Sequence, residues 1–104
     1  MSLQNEISRI VCKIDSLHIN DPAITKYWVE MAEVLTVDEQ ATLEFLRDLE
    51  DPNVIDHVSS VFEEISIALK SQEFIVVIEE LQRQYPELLL KHMIAAAREV
   101  LDDE

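Results

Sequence analysis

Glycine is absent from this chain, and only one cysteine and three prolines occur among its 104 residues. Without glycine the chain cannot build phosphate-cradling loops or dinucleotide fingerprints, and it has few ways to form tight hairpin turns. The lone Cys12 excludes an internal disulfide framework, which fits a reducing compartment. Its apolar neighbours Ile10, Val11 and Ile14 predict a small buried side chain at this position. The composition therefore favours helices joined by short polar connections.

Basic residues are also scarce, since eight Lys and Arg face 22 Asp and Glu and the formal net charge is −14. Nucleic acid is a poor partner for such a chain, because its binding depends on neutralising phosphates. No catalytic motif surrounds Cys12 or the serines near His18, His57 and His92, and these histidines are interpreted as ordinary surface residues. The Glu-x-x-His repeat of di-metal bundles does not occur. We therefore expect no enzyme activity, no catalytic residue, no metal site and no cofactor.

The overall hydrophobicity is that of a folded protein. A hydrophobic fraction of 48% and a mean hydropathy of +0.02 predict a chain that buries one core, as a single helical domain over residues 1–104. No stretch resembles a signal peptide, and none reaches the roughly 20 apolar residues of a membrane span. The sequence therefore predicts a cytoplasmic protein.

Six amphipathic segments are predicted from the helical spacing of apolar residues, and they run over 3–17, 24–35, 41–49, 54–69, 74–81 and 89–101. The helix starts after the first are marked by Asp21-Pro22, a capping box of Thr36 and Glu39, Asp51-Pro52, Ser71 and Pro86. Short links make successive helices neighbours, so the predicted fold is all-α, a compact stack of about six helices in antiparallel hairpins. The two Asp-Pro starts lie thirty residues apart, which leaves a helical-repeat arrangement open.

The negative charge is concentrated in the middle of the chain. Residues 38–64 hold nine acidic residues against Arg47 alone, whereas residues 1–20 and 65–98 are each neutral. Some of the carboxylates have ordinary structural explanations as helix caps or first-turn residues, namely Asp21, Asp38, Glu39 and Asp51. The others need a different explanation, because like charges one turn apart oppose helix formation.

The remaining carboxylates are predicted to share helix faces. Glu44 and Asp48 lie one turn apart on the third segment. On the fourth segment, Asp56 and Glu63 share a face with Ser59 and Ser60. If these two helices are neighbours, they form one continuous acidic surface. Such a surface raises the association rate of a basic partner and selects it by complementary potential.

The predicted partner-binding residues are seven carboxylates without a capping role and one aromatic residue: Glu30, Glu33, Glu44, Asp48, Asp56, Glu63, Glu64 and Tyr27. A solvated face that touches no partner is the alternative for the carboxylates. Trp28 is interpreted as a core residue, although tryptophan is also frequent at binding hot spots.

Motifs in the C-terminal half resemble a known family. They are Asp51-Pro52-Asn53-Val54, Phe62-Glu63-Glu64-Ile65, Glu73-Phe74-Ile75 and Tyr85-Pro86-Glu87-Leu88. This helix punctuation is similar to that of the helical immunity proteins of bacterial polymorphic toxin and contact-dependent growth inhibition systems. The resemblance implies a small cytoplasmic protein that binds one cognate toxin domain, often a basic nuclease, and blocks its active site or substrate groove. The neutral first twenty residues have no counterpart in it.

Three functions are compatible with the sequence. The leading hypothesis is a non-enzymatic immunity protein, a monomer when free, that binds a basic toxin domain in a one-to-one complex through its acidic face, with no direct contact to nucleic acid or membrane. The first alternative is an acidic mimic of nucleic acid that inhibits a DNA-binding protein. The second is a general helical adaptor or secretion chaperone, in which an apolar surface makes the contact and the acids keep the protein soluble.

Overall fold

The fold was obtained as a computed structural model, which describes residues 2–18 and 20–102. Within these residues the chain forms seven α-helices and no strand: α1 Leu3–Asp15, α2 Ala23–Leu35, α3 Glu39–Arg47, α4 Pro52–Ser59, α5 Phe62–Leu69, α6 Gln72–Gln84 and α7 Lys91–Asp102. The predicted all-α class and compact stack of helices are confirmed. In the same part of the chain, every helix is too short or too polar to cross a bilayer.

The fourth predicted helix is divided in the structure, which accounts for the seventh element. At the break, the backbone N–H groups of Ser60 and Val61 donate to the carbonyls of His57 and Val58. These acceptors lie three residues back in the chain, instead of the four of a regular α-helix. The apolar stripe continues across the break, because Val58 and Val61 are both buried. The bend lets α4 pack against α1 while α5 packs against α7 and α2. Sequence periodicity missed the break because burial does not change there.

The helices surround one core rather than forming separate hairpins. α1 lies against α2, α3 and α4, and α6 packs against α3 and α7. In the centre, the rings of Phe62 and Phe74 meet edge to face, with centroids 5.9 Å apart and planes at 87°. Cys12 was predicted to be buried, but it is exposed, because the core face of α1 is formed by Ile7, Ile10, Val11 and Ile14.

Two of the predicted caps are confirmed. The Asp51 carboxylate accepts a hydrogen bond from the N–H of Asn53 (3.0 Å) at the start of α4, and the Ser71 hydroxyl accepts one from the N–H of Phe74 (3.2 Å) at the start of α6. The predicted cap at Asp21 was one residue early, because α2 begins at Ala23 and its N-cap position is Pro22; the Asp21 carboxylate still accepts a hydrogen bond from the N–H of Ala23 (2.9 Å).

The capping box of Thr36 and Glu39 was wrong. The residue that caps α3 is Asp38, whose carboxylate accepts from the N–H of Ala41 (3.2 Å). Thr36 instead ends α2, where its hydroxyl donates to the carbonyl of Glu33 (3.1 Å). The link between these helices, residues 36–38, is therefore two residues longer than a box starting at Thr36 would give.

The predicted start of the last helix at Pro86 was also wrong, because α7 begins at Lys91. Residues 85–90 form a connection that is held by the side-chain amide of Gln82. Its nitrogen donates to the carbonyls of Leu88 (2.8 Å) and Tyr85 (3.2 Å), and its oxygen accepts from the N–H of Leu90 (3.0 Å). One side chain thus satisfies three backbone groups of the connection, and this fixes its path.

Two buried hydroxyl groups join neighbouring helices. Thr42 of α3 donates to the carbonyl of Leu35 at the end of α2 (2.6 Å), and Ser66 of α5 donates to the carbonyl of Ala97 in α7 (2.7 Å). The Leu35 carbonyl is one of the last four of α2, which have no partner within their own helix. A buried carbonyl needs a donor, so Thr42 fixes the corner between α2 and α3.

We expect Thr42→Val to destabilise the fold by about 1–3 kcal/mol, because the substitution preserves shape but removes the donor to a buried carbonyl. The exposed Thr25 of α2 provides the control, and Thr25→Val is expected to change the free energy of unfolding by less than about 0.5 kcal/mol. Urea unfolding followed by circular dichroism measures both. Equal effects of the two substitutions would show that the Thr42 hydroxyl does not fix the corner.

Asp15 links the end of α1 to α4. One carboxylate oxygen accepts from the side-chain amide of Asn53 (2.9 Å), and the other lies 2.8 Å from Nε2 of His57. The hydrogen bond from Asn53 lowers the pKa of Asp15 most, burial opposes this, and the hydrogen bond and charge of His57 lower the pKa further. Because the ionised form is favoured in the folded state, this carboxylate contributes stability above its unfolded pKa of about 3.9.

The contribution of Asp15 is expected to be lost as the pH falls through its lowered folded-state pKa, below about pH 4. Asp15→Asn should therefore destabilise the protein at pH 7, by less than about 1 kcal/mol because the side chain is half exposed, and by less still at pH 3. The comparison between the two proteins is essential, since acid also relieves the repulsion of the whole chain. Urea unfolding at each pH measures the difference in unfolding free energy between the unsubstituted protein and Asp15→Asn. If this difference does not become smaller in acid, the role of Asp15 is contradicted.

Candidate functional site

An acidic groove runs between α1 and α3. Three adjoining concavities form it, with volumes of about 250, 340 and 320 Å³. The first shares Leu3 and Ala41 with the second and Phe45 and Leu49 with the third, and these four residues form an apolar floor. Six carboxylates line it: Glu6, Asp38, Glu44, Asp48, Glu50 and Asp51. We call this feature the α1–α3 groove. No Lys or Arg is among its described lining residues, so its negative charge is locally unopposed.

The carboxylates of the α1–α3 groove are not equally available to a ligand. Asp38 and Asp51 accept backbone hydrogen bonds as helix caps. Glu44 and Asp48 are exposed, lie one turn apart on α3, and make no side-chain hydrogen bond or ion pair with any other residue that the structure describes. These two carboxylates are therefore free to bind an external cation, and each raises the other's electrostatic energy while unbound.

The only basic residue in the 38–64 stretch, Arg47, points away from this groove. Its guanidinium lies 3.5 Å from the carboxylate of Glu73 on α6. Both side chains are about half exposed, so the pair adds little stability. The pair directs Arg47 towards α6 and away from the α1–α3 groove.

A second groove lies between α2 and α5, with a volume of about 310 Å³. We call it the α2–α5 groove; Trp28, Val29 and Val61 are among its apolar lining residues, and Glu33 and Glu64 contribute carboxylates. The indole Nε1 of Trp28 is buried and finds no hydrogen-bond acceptor among the described residues. A buried donor without a partner is costly and uncommon in native proteins.

The structure brings four of the predicted partner-binding residues into two separate pairs. Glu44 and Asp48 lie in the α1–α3 groove, and Glu33 and Glu64 lie in the α2–α5 groove. The sequence did not indicate the second pair, because it depends on the contact between α2 and α5 across the fold.

The other predicted residues line neither groove. Glu30 is bound to Arg9 of α1 at 2.8 Å, and this hydrogen bond raises the pKa of the Arg9 guanidinium. Tyr27 is half-buried against the core, as is Trp28, so that both rings contribute to packing. Asp56 and Glu63 are exposed on α4 and α5.

The predicted face of Asp56 and Ser59 was partly wrong. Ser59 is buried, and its hydroxyl donates to the carbonyl of Asp56 at 2.6 Å. The predicted surface also required the third and fourth segments to be neighbours. In the structure α1 packs against both α3 and α4, while α3 packs mainly against α6. The acidity of α3 is consequently extended by Glu6 of α1 and by the link at Glu50 and Asp51.

The sequence missed Glu6 as a site residue for a clear reason. It lies in a stretch with no net charge, and its place in the groove depends on the packing of α1 against α3, which no local pattern encodes. Asp51 was predicted as a cap and Asp38 as a first-turn residue; both are caps, and the same positions also line the groove.

A metal site would need several His, Cys, Asp or Glu side chains close together. Within 2–18 and 20–102, no three His, Cys, Asp or Glu side chains are grouped in a way that could hold a metal ion. His57 is the histidine most involved in structure, through Asp15, and is less exposed than the sequence predicted, with 18% of its side chain accessible. The α1–α3 and α2–α5 grooves instead each combine apolar lining residues with carboxylates.

The chain was compared with protein-family models, with curated proteins and with solved structures. None of the three comparisons gives a match. The interpretation of function therefore rests on the residues and geometry described above.

Proposed function

We propose that this chain is a non-enzymatic immunity protein that binds a basic bacterial toxin domain through the α1–α3 groove. The observation that carries the proposal is the set of six carboxylates above an apolar floor, with no Lys or Arg among the described lining residues. The resemblance of residues 51–88 to helical immunity proteins supports a toxin as the partner.

The α1–α3 groove offers electrostatic attraction and apolar contact, the two contributions that a tight and selective complex needs. Its concentrated negative potential accelerates the encounter with a cationic surface and discriminates against acidic proteins. Its floor of Leu3, Phe45 and Leu49 offers apolar contact, against which the aliphatic stems of Lys and Arg can pack while their charged ends reach the carboxylates. Release is then slowed by contacts that salt does not screen.

A nuclease-type toxin is the partner class that this chemistry fits best. A nuclease binds phosphates with Lys and Arg, so its substrate groove is cationic. An acidic protein that occupies this groove competes directly with the nucleic acid. Inhibition would then require no chemistry from the inhibitor, and one groove per chain corresponds to a one-to-one complex.

The adaptor function is the second candidate, and the α2–α5 groove favours it. Trp28 is partly exposed there beside the half-exposed Val29, and its buried Nε1 has no acceptor among the residues that the structure describes. A partner seated in this groove by apolar contacts would remain bound at about 1 M salt, where the screening length is about 3 Å. A complex formed through the α1–α3 groove would instead lose its fast association.

The decisive experiment uses two pairs of charge reversals that change the net charge equally. Glu44→Lys with Asp48→Lys alters the α1–α3 groove, and Asp56→Lys with Glu63→Lys alters exposed carboxylates outside it. The partner is first isolated from the native cell with the tagged protein at moderate salt and identified by mass spectrometry. Association rates of the purified pair are then measured by stopped flow at low salt.

We expect the groove pair to slow association at least about tenfold and the control pair to slow it less than about threefold, because steering depends on charges near the contact. The groove pair should also restore toxin activity in the presence of the inhibitor. Equal losses from both pairs would mean that only net charge matters. Unchanged association in the groove pair would refute the proposed surface, and recovery of many unrelated proteins would favour the adaptor.

A further inference from the structure

A third groove lies between α6 and α7, beside the 85–90 connection. Its volume is about 760 Å³, and we call it the α6–α7 groove. Pro86, Leu88, Leu89 and Ile94 provide most of its apolar lining. It shares no lining residue with the α1–α3 or the α2–α5 groove.

The apolar edge of this groove is exposed and yet held in place. Leu89 is 84% exposed, which is unusual for a leucine in a chain that buries most of its large aliphatic residues. The Gln82 amide fixes the backbone on both sides of it, through Leu88 and Leu90. A partner would therefore meet a preformed surface and would not have to order this connection on binding.

The charge of the α6–α7 groove is opposite to that of the protein. Arg83, Lys91 and Arg98 line it, so it holds three of the eight Lys and Arg of a chain with a net charge of −14. Glu79 is the only lining acid among the described residues, and it lies 3.4 Å from Arg98. The groove is thus a local cationic site on an anionic protein.

The spacing of these cations has a helical complement. Lys91 and Arg98 are seven residues apart on α7, which places them on one face about two turns, or about 10.5 Å, apart along the axis. Ile94 and Ala95 lie between them on the same face. A helix with two carboxylates seven residues apart and apolar residues between them would match both the charges and the floor.

We propose that the α6–α7 groove binds an acidic amphipathic helix of a partner protein other than the cationic one proposed for the α1–α3 groove. A second copy of this chain fits less well, because two molecules of charge −14 repel each other. An anionic membrane is disfavoured for the same reason. The proposal goes beyond the proposed function and does not depend on it, since the two grooves have separate lining residues and opposite charge.

The test uses the full chain, labelled with ¹⁵N, and a defined probe. The probe is a capped 18-residue helical peptide of Ala, Gln and Leu, with two Glu residues seven positions apart on its leucine face. The matched probe carries Lys in place of both Glu residues. Titrations followed by amide chemical shifts are expected to show saturable changes at residues 83–98 with the Glu peptide and at least tenfold weaker binding of the Lys peptide.

Two variants with the same change in net charge locate the site. Arg83→Glu with Lys91→Glu should weaken binding of the Glu peptide at least tenfold, whereas Lys13→Glu with Lys26→Glu, at exposed positions outside the groove, should change it less than threefold. Leu89→Ser, which alters no charge, should weaken binding at least fivefold. Circular dichroism of each variant verifies that the fold is retained.

Several outcomes would overturn the proposal. These are no saturable shift at 1 mM peptide, equal binding of the Glu and Lys peptides, or shifts that lie outside residues 83–98. Laurate or phosphatidylglycerol vesicles that shift these residues when the peptide does not would assign the groove to a lipid. A dimer seen by sedimentation and abolished by the Arg83 and Lys91 reversals would assign it to a second copy.

Discussion

The fold depends on side-chain hydrogen bonds at the helix ends, because a chain without glycine has no residue that adopts positive φ freely. Among the described residues only Lys70 takes the left-handed conformation, with φ 48° and ψ 47°, where glycine would normally end a helix. At two other corners a polar side chain satisfies the backbone. Thr42 donates to the last carbonyl of α2, and Gln82 satisfies three backbone groups of the connection before α7. Each of these corners therefore depends on one specific side chain.

This constraint also determines where the grooves lie. Asp38 caps α3 and Asp51 caps α4, and the same two positions line the α1–α3 groove. Gln82 holds the connection that presents Leu89 to the α6–α7 groove. In both places a residue that closes a helix end also shapes a binding surface. Capping and binding are therefore not competing explanations for the same residue, as a reading of the sequence alone suggests.

Local signals predicted the fold well where one residue decides the outcome. Asp51 and Ser71 began their helices as expected, and the apolar spacing identified every helical region. Prediction failed where packing or a specific side-chain contact decides. The break at Ser60 and Val61 lets α4 and α5 contact different neighbours across the fold. At Pro86 the cause is close in sequence, since the Gln82 amide binds the backbone of the 85–90 connection, but apolar spacing and capping patterns do not indicate such a contact.

The same division applies to the candidate sites. Glu44 and Asp48 were identifiable because their spacing lies within one helix, whereas Glu6 joins them only through the packing of α1 on α3. The cations of the α6–α7 groove were hidden by a different effect, since residues 65–98 have no net charge. Acids and bases cancel along that stretch but are separated in space. Arg83 and Lys91 line the α6–α7 groove, whereas Glu73, on α6 like Arg83, pairs with Arg47 of α3. A neutral segment can therefore carry a charged surface, and a net charge of −14 does not restrict the molecule to cationic partners.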